Sequence, residues 1–194
     1  MIRRPLHRAA GAELTPPVVA LCAAVLLACH FAYQQVGYSY VPGGPLDETA
    51  HLLTAVLLLQ LLPQRLRTPI AAPALVASVA IDLDHIPQFL GTDLLTAGTP
   101  RPYTHSLLTI LVLLGLALAL RRRQTLLVGL AAGIVMHFFR DMGEGMGAGI
   151  ALFWPLSDHG FEYPQFIYLA VMASATGWGL IRPLVRMRPA ANVA

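Results

Sequence analysis

Long apolar runs dominate this chain and limit what it can fold into. Six can be marked, at about residues 17–36, 47–62, 69–87, 104–120, 124–141 and 164–182. A helix needs roughly 20 residues to cross the hydrocarbon core of a bilayer. Of the 194 residues, 56% are hydrophobic and 12% charged, where a soluble domain usually carries about 25% charged residues. The same values exclude a disordered chain, which needs low hydrophobicity and high charge. The expectation is an all-α, polytopic membrane helix bundle of about six transmembrane helices, forming one domain over residues 1–194. The short second run is expected to tilt, to thin the bilayer, or to extend through polar turns. Turn chemistry marks breaks at Pro42-Gly43-Gly44-Pro45, Pro63, Pro69, Gly98 to Pro102 and Gly143 to Gly149.

Charge placement tests that span count. All 13 basic residues are Arg. Arg3, Arg4 and Arg8 precede the first run, and Arg65 and Arg67 separate the second and third. Arg121, Arg122 and Arg123 separate the fourth and fifth, and Arg182, Arg186 and Arg188 follow the sixth. With six crossings all eleven fall on one side, which the positive-inside rule makes cytoplasmic, with both termini inside. One missed or invented span would scatter them. The net charge of +3 therefore reflects topology, and no nucleic-acid partner is expected. The basic start followed by an apolar run imitates a signal peptide. No small-residue cleavage site follows Tyr33, so a retained first span is expected. Cys22 and Cys29 lie within that span, where buried thiols are the expectation, and no Cys-based metal motif is present.

Nine of the ten acidic residues and five of the seven His collect at the opposite, extracytoplasmic ends of the runs, together with Arg101 and Arg140. Polar groups at membrane depth are costly and usually functional. Asp47-Glu48-Thr49-Ala50-His51 opens the second run, and Asp82-Leu83-Asp84-His85 closes the third. Arg101 and Thr104-His105-Ser106 open the fourth, and His137-Phe138-Phe139-Arg140-Asp141 closes the fifth. Spacings of three and four put His51 with Asp47 and Glu48, Asp82 with His85, and His137 with Asp141 on shared helix faces.

His–carboxylate pairs from separate helices are how bundles build metal sites. Imidazole and carboxylate without thiolate suit zinc first, with manganese or iron as alternatives. The candidate ligands are His51, Asp82, His85, His105, His137 and Asp141, enough for one or two divalent ions. Asp84, Arg101, Arg140 and Glu48 are the candidate catalytic residues. Arg suits phosphate because its planar fork binds oxygens bidentately, and metal ions can activate water and stabilise both oxygens of a displacement. A membrane lipid or lipid-linked phosphoester at the outer face is the expected substrate. Asp47 and Glu48 also suit helix capping, Glu144 a general base or, more readily, a solvated loop, and Thr104 and Ser106 capping or packing; Asp158 and His159 are candidates to close the site.

These motifs resemble the membrane-bound metal-dependent hydrolase family, the YdjM-like proteins, described as LexA-binding, inner-membrane-associated hydrolases. The likeness covers about residues 48 to 158. It rests on His51, Asp82-Leu83-Asp84-His85, Arg101 with Thr104-His105-Ser106, His137 with Asp141, and Pro155-Leu156-Ser157. The resemblance implies a multi-span bundle in the inner membrane, a divalent metal site and a phospholipase-like hydrolase activity. The chain departs from the family pattern at Ile81, where Pro is frequent. It also has Pro100-Arg101-Pro102 in place of His-Arg-Gly, and Phe139-Arg140 in place of a Leu-rich pair. Other classes are weighed beside hydrolysis. A proton or metal-ion transporter needs polar residues down to the cytoplasmic side, where Leu, Val and Ala prevail. A non-catalytic scaffold would use metal only to fix the fold. An iron oxygenase needs more His.

Overall fold

The computed structural model describes residues 12–186 except 38, 40, 97, 98, 100 and 148. Arg3, Arg4, His7, Arg8, Gly98, Pro100 and Arg188 lie outside the described residues. Among the described residues the fold is all-α, with long helices α1 (Pro16–Val36), α2 (Gly43–Leu59) and α3 (Gln64–Ala80), a short α4 (Ile86–Phe89), then α5 (Leu107–Ala119), α6 (Gln124–Asp141) and α7 (Gln165–Arg186). A 3-10 turn over Ile81–His85 joins α3 to α4, and another over Arg121–Arg123 leads into α6. By length and composition, Pro16–Val36 and the continuous Gln64–Gln88 can cross a membrane; Leu107–Ala119 is apolar but shorter.

Two expected breaks are absorbed into helices. Gly43-Gly44-Pro45 forms the first turn of α2, where the missing proline amide has no intrahelical partner to lose. Pro69 lies inside α3, as does Pro73, so that helix begins at Gln64 directly after Pro63. Pro73 repays part of its lost hydrogen bond by packing against α6. An ideal Cβ on Gly129 would lie 2.4 Å from Pro73 Cγ, and one on Gly133 only 2.1 Å from the Ala74 carbonyl oxygen. The two glycines therefore let α3 and α6 approach backbone to backbone, as small residues do in membrane bundles.

Contacts at the two ends show that consecutive long helices run in opposite directions. At one end Gln60, after α2, accepts from Arg67 of α3 (2.9 Å) through its side chain and from Arg182 of α7 (3.0 Å) through its carbonyl. Arg182 also meets Glu13, ahead of α1, at 3.2 Å. At the other end, Gln34 of α1 and Gln165 of α7 both donate to the Glu144 carbonyl, just beyond α6, at 3.1 and 2.9 Å. Small residues contribute much of the interior. Ala50, Ala55, Ala71, Ala74 and Ala77 are buried, while Leu21, Leu111 and Leu118 are each more than 60% exposed on the outside. That inverts the soluble pattern and suits a bundle whose surroundings are hydrocarbon.

Candidate metal centre

The α3–α6 approach brings the polar ends together. His137, on the last turn of α6, is fully buried, and its Nδ1 lies 3.0 Å from the Ser78 carbonyl of α3. A carbonyl only accepts, so Nδ1 carries a proton, and in the neutral imidazole Nε2 is then an acceptor. His105, ahead of α5, is oriented the same way. Its Nδ1 faces Asp84 Oδ2 at 3.2 Å, and Thr104 also donates to that oxygen. Both imidazoles thus turn Nε2 inward, 3.1 Å apart.

Two carboxylates complete the cluster. Asp82 Oδ1 lies 3.2 Å from each Nε2. Asp141 Oδ2 lies 3.1 Å from His137 Nε2 and 3.6 Å from His105 Nε2. Donors about 2.0–2.1 Å from a tetrahedral zinc stand about 3.3 Å from one another. The five spacings between the two imidazoles and from each imidazole to Asp82 and Asp141, 3.1–3.6 Å, are near that edge length. Asp141 Oδ2, which faces both Nε2 atoms, is buried without a hydrogen bond of good geometry, which costs stability unless something else satisfies it. The donor set fits a divalent ion. Around it lie two groups able to hold metal, Asp82, Asp84, His85 and His105 on one side and His51, His137 and Asp141 on the other.

The remaining candidates form a surrounding layer. The 3-10 turn eclipses residues three apart, so His85 Nε2 sits 3.6 Å from Asp82 Oδ1. His51 stacks on His137, with ring centroids 3.8 Å apart, and its Nε2 lies 3.4 Å from Asp141 Oδ1 and 3.6 Å from Asp47 Oδ1. Glu48 is half-buried and lines a cleft together with Asp82.

Arg101 and Arg140 are engaged by acids. Arg101 holds Asp141 Oδ1 (3.2 Å) and Glu144 Oε1 (2.9 Å). Arg140 donates to Asp47, faces Glu144 Oε2 at 3.5 Å, and lies over the Tyr33 ring. Since Asp47 and Asp141 both meet His51, the contacts close a ring through Glu144, Arg101, Asp141, His51, Asp47 and Arg140. Two sequence expectations change here. Glu144 is not a solvated loop residue but 1% exposed. Burial, aided by Asp47, pushes its carboxyl up to about 8 against the pull of both guanidiniums. Burial disfavours charge on Arg101, yet Asp141 and Glu144 outweigh it and hold its pKa above the ordinary arginine value. Asp47 is not a cap; it lies inside α2 and partners Arg140. Asp158 and His159 are exposed.

The glycine-rich run after α6 lies against this ring. An ideal Cβ on Gly147 would stand 3.1 Å from Arg101 Nη2. The loop is tied down by the Ile150–Phe161 bridge, by a 2.9 Å bond from the Leu107 amide to the Leu152 carbonyl, and by Tyr103 stacked on Trp154 at 4.5 Å.

The sequence matches the model of the family described as YdjM inner membrane protein over residues 46–191, which contains every group of the centre. No curated protein and no solved structure matches the chain.

Proposed function

The chain belongs to the YdjM inner membrane protein family, and from that premise we propose a membrane-embedded, metal-dependent hydrolase acting on a phosphoester or diphosphate of a lipid or lipid-linked substrate. The reading places the centre at the extracytoplasmic face of a bundle that crosses six times, with both termini cytoplasmic. It is supported by the helix alternation and by the gathering of Arg65, Arg67, Arg121 to Arg123 and Arg182 at the end away from the centre.

One observation carries the chemistry: the Nε2 atoms of His105 and His137 meet 3.1 Å apart, and Asp82 and Asp141 each approach both of them within 3.6 Å. A divalent ion held there, with zinc first and manganese or iron as alternatives, would supply Lewis acidity and lower the pKa of water. The Ser78 carbonyl holds His137 in the tautomer that such a site needs, and Asp84 faces the outward nitrogen of His105. Glu48, on the cleft beside Asp82, is the group placed to pass a proton to a leaving oxygen. Arg101 and Arg140 fix the acidic layer.

The test is metal content of the detergent-purified protein beside His137→Ala and Asp82→Ala, followed by a phospholipid and lipid-diphosphate hydrolysis screen. About one ion per chain, lost in both folded variants together with turnover, is the expected result. A metal-replete protein that hydrolyses none of these substrates would overturn the reading. Four protein donors also favour a second reading, a closed structural site. Under that reading chelation unfolds the bundle; under hydrolysis it removes turnover reversibly and leaves the helices folded.

A further inference from the structure

The four donors are not equally reachable. The side chains of His105, His137 and Asp141 are fully buried, and only Asp82 retains exposure, at 14%. On the loop side, Arg101, Glu144 and the glycine-rich run lie over the centre. Asp82 instead borders an open cleft of about 630 Å3, whose other lining residues are Glu48, Val76, Val79, Ala80, Leu83 and Ile86. Val76 and Leu83 are 61% and 65% exposed there. These positions lie on Gln64–Gln88, one of the helices apolar enough to cross a membrane. The cleft thus has apolar walls on a hydrocarbon-facing helix and two carboxylates where it meets the centre.

We propose that this cleft takes a hydrocarbon chain of a membrane lipid and delivers its ester or phosphoryl group sideways to Asp82 and Glu48. The proposal rests on the reading of the centre as lipid-hydrolysing and adds where the substrate binds and by which route. A second apolar groove, between α1 and α7 around Leu26 and Met172, is lined by no charged residue and lies away from the centre. The continuity of the first cleft with the donor cluster is what singles it out.

The test uses full-length protein in dodecylmaltoside with Cys22→Ser and Cys29→Ser. Bimane is attached at Val76→Cys or, as a control, at Leu111→Cys, and phosphatidylglycerol brominated on its acyl chains is titrated in. The expected result is saturable quenching at position 76 near an equimolar ratio, weakened about tenfold or more by Ala80→Phe, which fills the cleft from an exposed position. Position 111 should quench weakly and without saturation. Quenching of the same form at both sites, or indifference to Ala80→Phe, overturns the proposal. So does a change in bimane emission that follows protein concentration without lipid, since a second copy then covers the cleft. Turnover separates the two readings. Saturable binding without hydrolysis upholds the cleft and removes the hydrolase. Lipid hydrolysis undiminished by Ala80→Phe upholds the hydrolase and removes the cleft.

Discussion

At the scale of single residues, the centre depends on which nitrogen of each imidazole carries the proton. Asp84 is the group that faces His105 Nδ1, at 3.2 Å. Asp84→Ala should therefore weaken metal binding about 10–100-fold, read by competition with a coloured chelator, while helix content stays unchanged. If affinity is unaltered, Asp84 does not orient His105. Arg140 answers to a different force. It is fully buried between Asp47 and Glu144, so Arg140→Ala leaves buried acids uncompensated. The expected cost is about 3–5 kcal/mol, measured by unfolding in mixed micelles of rising SDS content. Glu144 was misread from the sequence because a glycine-rich loop suggests solvent. Its distance of four residues from Arg140 was the available signal, since that spacing aligns side chains on one face.

At the scale of elements, helix proximity decides whether the donors meet. Gly133 allows α6 to lie against the Ala74 carbonyl, while an ideal Cβ on Gly115 of α5 meets nothing within 4 Å. Gly133→Ala should cost about 1–3 kcal/mol by forcing α3 from α6, and should lower metal occupancy because the Ser78–His137 bond spans that contact. Gly115→Ala should be neutral or gain about 0.5–1 kcal/mol. Equal effects of the two substitutions would show that the close approach is not what holds the donors together. The Asp82–His85 pairing was readable from its spacing of three, and the 3-10 turn satisfies it more strictly than an α-helix would. The boundaries at Pro45 and Pro69 were not readable. Whether a proline ends a helix depends on what packs against the turn that it weakens.

At the scale of the molecule, helix direction and the arginine clusters agree. The Arg67–Gln60–Arg182 cluster and the His/Asp centre stand at opposite ends of the bundle. Reporter fusions at Pro45 and Arg122 should therefore report opposite sides of the membrane, with Arg122 cytoplasmic. The same side for both would remove the six-crossing reading. The outward leucines and the alanine-rich interior belong to this scale too, because they describe the solvent for which the whole surface is built.

The sequence alone determined the helical class, the segregation of arginine from acid and histidine, and the family. The first two follow from local composition and from spacing along one helix, which need no partner to be read; the family follows from the order of motifs along residues 46–191. The tertiary structure decided which donors share a point. His105, His137, Asp82 and Asp141 come from different elements, and their meeting depends on the Gly129 and Gly133 approach. It also decided that Arg101, Arg140 and Glu144 belong to one ring, and that Asp82 borders an open cleft. Those are facts of distance between chain segments, and residue order constrains such distances only through the packing it produces.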